Sequence, residues 1–483
     1  MYRRMHFAAA TLVAGLVVAC SSSGTDPVAP TASTTARFST TGYTATAQMI
    51  WPAAQEIKGW GIYPASGANP FWDAPNAQDA VYRLGVNYVR DQLDPALYVS
   101  GTTVSNIVLN TSMLNQYIAK IAYAKAHGVT GYVLAIWSPP AKWKTNNSIL
   151  GTVNGNQGYL QSWAEPYLVA FATKVMLALK SSKIGLPVAF SVQNEPSHVA
   201  PYAGCTYTPA QWQKLVQDMR GSFDYAGLQS VKLIGPETGE YTQAVYYNYL
   251  TGAPGYFGGL GYPQLTGYLD QAIGAYSFHT YAECSIWQTQ QAVAAHPKDM
   301  WMTEYGNPRG STELEWTLDM ASAMAAHLVI VPHNYWFWWM AWTSASGAPP
   351  FGQLMSGHPN PTLSKRYWVL HDIFWTVRPG WHVNHMTTND ASLETGWNNQ
   401  DQCTARVNLI GFSSPDGKQA MVEVINTTNS NKTIQVANLP GTTQTAHYTD
   451  ANHNEAYQRT TNVYKGYSTI ISPPNSIVIA VMK

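Results

Sequence analysis

The sequence predicts an α/β fold, a (β/α)8 TIM barrel with an attached all-β sandwich side domain, and three observations point there. From about residue 57 to 375, short apolar runs bounded by turn residues alternate with longer stretches of helical period, the pattern of repeated βα units around a parallel sheet. Beyond about residue 380 the helical period disappears, and β-branched runs alternate with Asn, Gly and Pro turns. The length of 483 residues is about three times the ~150 residues of a typical domain, which leaves room for one large barrel and a smaller module.

Eight barrel strands are read in order: Ile57–Tyr63, Val86–Arg90, Gly131–Trp137, Val188–Asn194, Val231–Gly235, Gly274–His279, Met300–Glu304 and His333–Trp339. Helices are expected between them. Thr111–His127, closed by Gly128, and Ala164–Lys180 carry apolar residues at three- and four-residue spacing. Sandwich strands are expected at Gln419–Ile425, Thr433–Val436 and Ser476–Val481.

The N-terminus reads as an export signal. Arg3 and Arg4 precede an apolar run from Phe7 to Val18, the length of a signal-peptide core and too short to span a bilayer. The run ends in Val17-Val18-Ala19-Cys20, similar to a bacterial lipobox. Cleavage before Cys20 and lipid attachment to its sulfur is therefore preferred over ordinary signal cleavage. Residues 1–19 would be the signal and 20–37 a Ser/Thr/Pro-rich tether, making the protein an exported lipoprotein of the cell envelope or an extracellular protein. Of the remaining cysteines, Cys205 and Cys284 both follow predicted strands; a bridge between them and two free thiols are equally open, with Cys403 free. Neither CxxC pairs nor HExxH occurs, so no metal site is expected.

Lys+Arg and Asp+Glu both number 27, and only 11% of residues are charged. That balance excludes a phosphate-tracking nucleic-acid binder. With 46% hydrophobic residues, disorder is excluded as well. The aromatic content is dominated by 18 Trp and 30 Tyr, side chains that offer a flat apolar face beside a polar handle and so suit sugar rings.

Barrel chemistry sits at the C-terminal ends of the strands. Strand four ends in Gln193-Asn194-Glu195-Pro196 and strand seven in Met302-Thr303-Glu304, which places two carboxylates on strands able to face each other across the mouth. Such a pair is what glycoside hydrolysis uses, one protonating the leaving oxygen and the other attacking the anomeric carbon. Arg90 ends strand two and either donates to a catalytic carboxylate or pairs with Asp91 or Asp94. His279 and Tyr281 end strand six and can reach the same rim. Glu237, Glu240 and Glu283 follow strands five and six and are read as loop hydrogen-bonders or substrate contacts. Among the tryptophans, Trp137 and Trp338 are expected as sugar platforms, with Trp143 and Trp342 as loop candidates; Trp339 is expected to pack.

Both Glu motifs resemble those of the clan A retaining glycosidases, in particular glycoside hydrolase family 30. Trp137-Ser138-Pro139-Pro140-Ala141, with Lys144-Thr145-Asn146-Asn147-Ser148 after it, is similar to the strand-three loop of the family's bacterial xylanases, and Trp338-Trp339 resembles their paired tryptophans. The resemblance implies that Glu195 is the acid/base, Glu304 the nucleophile and Asn194 a ligand of the sugar 2-hydroxyl. It also implies that residues 38–56 join 376–483 in the side domain, beside a catalytic barrel at 57–375. One position departs from the family's glucuronoxylanases: Trp342 stands near the place of their arginines, which puts strict dependence on a glucuronate branch in doubt. The expectation is an endo-β-1,4-xylanase acting as a monomer without cofactor. Cleavage of β-1,6-glucan or β-1,6-galactan is the alternative, and a non-catalytic glycan-binding lipoprotein the reading from another class. A serine hydrolase and a nucleotide enzyme lack their motifs, GxSxG and GxGxxG.

Overall fold

The computed structural model describes residues 42–64, 74–239, 249–250, 271–279, 281, 298–350, 352–396 and 406–483. The signal, the tether, Cys20, Glu240, Glu283, Cys284 and Cys403 lie outside the described residues, and with them the Cys205–Cys284 question.

The chain enters through β1 (Ala45–Met49) and then builds the barrel from β2 (Gly59–Tyr63), β3 (Tyr88–Gln92), β4 (Gly131–Ala135), β5 (Ala189–Ser191), β6 (Lys232–Pro236), β7 (Ile273–His279), β8 (Met300–Tyr305) and β9 (His333–Trp339). The eight form a closed ring in chain order, each parallel to its neighbours, with β9 closing on β2 through Tyr335–Gly59 to Trp339–Tyr63. All eight overlap the strands read from the sequence. Their bounds differ because the chain leaves the ladder early at Ala135 and Ser191 and late at Gln92, Pro236 and Tyr305.

Alternation decides what fills the barrel. Val133, Ala189, Ile234, Ala275, Trp301, Tyr335 and Phe337 form the interior cluster. Gly61 is glycine because a Cβ there would lie 2.0 Å from Phe337 Cδ1, inside the ring's own space. The opposite faces of the strands pack on the helices α1 (Pro75–Arg83), α2 (Thr111–Ala126), α3 (Glu165–Lys180), α4 (Pro209–Tyr225), α5 (Glu313–Val329) and α6 (Lys365–Thr376). Local chemistry sets the helix ends. Asn110 accepts from the Met113 N–H at 3.2 Å to start α2, and Gly128, at φ +100°, follows its last turn. Thr312 and Glu315 form a capping box on α5.

Two antiparallel-rich sheets make the side domain. One is ordered Met386–Thr388, β1, Lys432–Ala437, Ser468–Ser472; the other is His382–Asn384, Leu409–Ser413, Ala420–Asn426, Ser476–Met482, Thr443–Thr449, Ala456–Asn462. In chain order these nine strands after the barrel are β10 (His382–Asn384), β11 (Met386–Thr388), β12 (Leu409–Ser413), β13 (Ala420–Asn426), β14 (Lys432–Ala437), β15 (Thr443–Thr449), β16 (Ala456–Asn462), β17 (Ser468–Ser472) and β18 (Ser476–Met482). The N-terminal strand β1 therefore lies between β11 and β14 and ties the start of the chain to its end.

Candidate active site

At the C-terminal mouth of the barrel, inward-facing positions run out of the packed interior into an open cleft. Following Tyr88, Arg90 points inward; following Ala275 and Ser277, so does His279. Glu304 reaches the mouth by another route, since the β8 register shifts between Met302 and Tyr305 and pairs Glu304 with His279. A bulge of this kind re-aims the side chain at a strand end. Glu195 and Glu237 both take left-handed backbone at φ +49°, and the Glu195 N–H donates to the Glu237 carbonyl at 3.0 Å. Non-glycine residues hold that conformation at a cost, and such strain concentrates where side chains are positioned for function.

These residues form one network. Arg90 is buried and divides its guanidinium among three acceptors: Nη1 donates to Glu304 Oε2 at 2.8 Å, and Nη2 to Asn194 Oδ1 at 2.6 Å and Glu237 Oε2 at 3.1 Å. Tyr281 donates to Glu304 Oε1 at 2.9 Å and Tyr202 to Glu195 Oε2 at 2.5 Å. His279 lies between the two carboxyls, with Nδ1 3.1 Å from Glu195 Oε1 and Nε2 3.9 Å from Glu304 Oε2. An oxygen of Glu195 and an oxygen of Glu304 lie within 4.8 Å of each other.

Burial and charge compete at each group. Burial would raise Glu237, but the Arg90 guanidinium outweighs it and holds that carboxyl below the usual range. At Glu195 burial is likewise overcome, by the His279 and Tyr202 contacts, and its affinity for a proton falls. Burial prevails at Glu304, which is raised despite His279 and Arg90. His279 is raised because the two carboxylates favour its cation more strongly than burial opposes it. The His279–Glu195–Glu304 group therefore titrates as a unit.

The cleft, about 770 Å³, is lined by Trp137, Trp339, Tyr63, Asn194, Glu195, Tyr202, Tyr281 and Glu304 among others, and no Lys or Arg belongs to its described lining. Trp339 stacks on Tyr63 with ring centroids 4.2 Å apart, and Trp137 stands 5.7 Å from Trp339 with the Arg90 guanidinium 4.5 Å from its own centroid. Gly239 closes the wall beside Glu195: a Cβ there would lie 2.5 Å from Glu195 Oε1.

Glu195, Glu304, Asn194, Arg90, Tyr281, His279 and Trp137 are thus brought together as the sequence predicts. Three tryptophans are not. Trp338 is fully buried among the strand–helix core, its indole N–H donating to the Met340 carbonyl at 3.1 Å. Trp143 is buried against Tyr98, Tyr167 and Phe171, and Trp342 is buried with its N–H on the Gly357 carbonyl at 2.9 Å. The reason is parity: Tyr335 and Phe337 face the barrel interior, so Trp339 emerges in the mouth and Trp338 faces the helices. Trp339 lines the cleft and Trp338 packs in the core, the reverse of the expected placement. Trp342 accordingly puts no aromatic into the cleft. Arg90 does not pair with Asp91, which faces Lys120 at 4.0 Å, nor with Asp94, which caps the Ala96 N–H at 2.8 Å. Glu237, read as a loop group, is instead the buried counter-ion of Arg90. Tyr202 and Tyr63 were missed; the parity of β2 pointed to Tyr63, whereas nothing in the loop sequence marked Tyr202.

No protein-family model and no curated protein matches the sequence. Solved structures do. The family 30 subfamily 8 xylanase Xyn30A from Clostridium acetobutylicum superposes with a TM-score of 0.68 at 17% identity, over 90% of this chain and 99% of that one. The catalytic domain of family 30 xylanase C from Talaromyces cellulolyticus gives 0.69 at 16% identity, over 91% and 100%. The fold is that of the family 30 glycoside hydrolases. The endo-β1,6-glucanase BT3312 shares it at 14% identity and a TM-score of 0.58, over 90% of this chain and 92% of that one.

Proposed function

We propose that this chain is a retaining, endo-acting glycoside hydrolase of β-linked plant cell-wall polysaccharide, with β-1,4-xylan as substrate and no strict need for a glucuronate branch. The observation that carries the reading is the approach of Glu195 and Glu304 to within 4.8 Å at the ends of β5 and β8. Retaining enzymes hold their carboxyls about 5–5.5 Å apart, whereas inverting ones need roughly 6.5–9.5 Å to admit a water.

In the first step Glu304 attacks the anomeric carbon while Glu195 gives its proton to the departing glycosidic oxygen. In the second, Glu195 takes a proton from the water that attacks the same carbon, and Glu304 leaves as a carboxylate. Arg90 and Tyr281 donate to the ionised Glu304 that this chemistry requires. Moving a proton from His279 to Glu195 across their 3.1 Å contact leaves the cluster's net charge unchanged and produces the acid. Asn194 commits Oδ1 to Arg90, which leaves its amide N–H groups to donate to the sugar 2-hydroxyl. Neither step calls for a cofactor.

The xylan assignment draws on the names and higher TM-scores of the two xylanases. The absence of Lys and Arg from the described cleft lining supports an undecorated backbone. Similarity to BT3312 supports β-1,6-glucan as the second reading. Export with a lipid on Cys20 belongs to the same proposal and rests on Arg3, Arg4 and the apolar run after them; no helix of the described residues is long and apolar enough to cross a membrane. The test is product analysis on linear xylan, glucuronoxylan, arabinoxylan, β-1,6-glucan and β-1,6-galactan, beside Glu304→Gln. Oligosaccharides from linear and decorated xylan alike, lost in the variant, are expected. Products only from a β-1,6 polymer move the assignment to the second reading, and the absence of hydrolysis on every substrate points to a glycan-binding protein.

A further inference from the structure

A second groove, about 530 Å³ and sharing no residue with the cleft, lies on the side domain beside β14, β16 and β17. Between β16 and β17 the chain makes a tight turn in which Tyr464 and Tyr467 exchange backbone hydrogen bonds at 2.8 and 3.0 Å, with Lys465 and Gly466 at φ +52° and +79°. Two successive left-handed residues are the signature of the hairpin turn that matches strand twist. The turn presents the Tyr464 ring to solvent, 69% exposed, with the Lys465 ammonium 5.2 Å from its centroid. Tyr43, just before β1, forms another aromatic element of the lining, its hydroxyl 3.2 Å from Thr469 Oγ1.

Arg459 Nε, Thr461 Oγ1 and Ser468 Oγ are buried without a hydrogen-bond partner among the described residues, and all three residues line the groove. Ser468 is only 5% exposed. Arg459 is held in place by Nη2, which donates to the Thr469 carbonyl at 2.8 Å and leaves the Nε edge uncommitted. Three unpaired polar atoms in one groove leave hydrogen-bonding capacity there that a polar ligand can use. The described lining contains Arg459 and Lys465 but no Asp or Glu. Tyrosine faces suit sugar rings, and a guanidinium edge suits a carboxylate.

We propose that this groove is a second glycan-binding site, which takes a polysaccharide chain carrying a carboxylate substituent, its sugar ring on Tyr464 and its carboxylate between Arg459 and Lys465. The choice of polysaccharide rests on the hydrolase reading; the binding itself does not. The two sites then divide the labour, with a cleft whose described lining has no Lys or Arg cutting the backbone and the side domain holding acidic branches of the same polymer.

The test is affinity electrophoresis of the full chain carrying Glu304→Gln, which prevents hydrolysis, in gels containing glucuronoxylan or linear xylan. Glucuronoxylan is expected to retard the protein more strongly, and added salt to weaken the retardation. Tyr464→Ala and, separately, Lys465→Gln change exposed side chains that the fold does not need; each is expected to lower the affinity for glucuronoxylan by about tenfold. Trp339→Ala, in the cleft, is expected to leave the difference between the two polymers intact. Equal retardation by both polymers, or unchanged retardation in the Tyr464 and Lys465 variants, would overturn the proposal. Binding to anionic lipid vesicles in place of glucuronoxylan would do so too. Failure of the hydrolase reading appears separately, as absent products in the substrate panel with the retardation preserved.

Discussion

Arg90 Nη1 stands 2.8 Å from Glu304 Oε2, and both residues are buried at the mouth of the barrel. The same guanidinium holds Glu237, so one cation serves two carboxylates in a site with little water to screen them. Replacing Arg90 by Met leaves two buried acids without their counter-ion, for which a stability loss of about 3–5 kcal/mol is expected. Activity is expected to fall by about 100-fold or more, because the carboxylate form of Glu304 loses its strongest donor. Denaturant unfolding and kcat/KM of Arg90→Met and Arg90→Lys, measured together, check this. A variant with native stability and activity would remove Arg90 from the account.

The two adjacent tryptophans of β9 are expected to separate cleanly. Trp338→Ala empties a space in the strand–helix core and should cost about 3–5 kcal/mol of stability. Trp339→Ala removes a cleft wall and should raise KM with a much smaller change in stability. Thermal unfolding and Michaelis kinetics of both variants decide the matter; the opposite pattern would restore Trp338 as the platform.

Gly239 tests how closely Glu195 must be placed. Its substitution by Ala puts a methyl 2.5 Å from the present position of Glu195 Oε1, so the carboxyl must move. An activity loss of about 100-fold is expected with the melting temperature nearly unchanged, since displacements near 1 Å at a reacting group have costs of that order. Full activity in Gly239→Ala would show that Glu195 has freedom the structure does not suggest.

In the side domain, Glu423 lies on β13 between Ile410 and Ile479, buried, with Oε1 unpartnered among the described residues. Burial pushes its pKa up from 4.5 to about 8. The folded state therefore keeps a proton that the unfolded chain releases, and stability falls as pH rises from about 4.5 through 8. At about 1.4 kcal/mol per unit, the loss is on the order of 4–5 kcal/mol. Glu423→Gln is expected to match the parent near pH 4.5 and to exceed it clearly at pH 8.5 in thermal unfolding. Parallel profiles for the two proteins would show that Glu423 ionises in the folded state as readily as in the unfolded chain, and would contradict the raised pKa.

The sequence made the barrel legible because each strand is an apolar run closed by turn residues, and its catalytic candidates legible because both glutamates sit at strand ends. The parity of β9 was also present, in Tyr335 and Phe337, but two adjacent tryptophans look alike until the inward face is known. Other features depend on tertiary structure alone. The β8 register shift turns Glu304 into the mouth, and the left-handed backbone at Glu195 and Glu237 couples β5 to β6. Arg90 meets Glu237 across 147 residues of chain, a distance over which spacing carries no information.

The most direct test of the central claim is the anomeric configuration of the first product, followed by proton NMR in the opening minutes of xylan hydrolysis, before mutarotation. With Glu195 and Glu304 oxygens within 4.8 Å, the new reducing end is expected to appear first as the β-anomer, the configuration of the bond that was cut. Appearance of the α-anomer first would mean direct attack by water, and would contradict Glu304 as nucleophile.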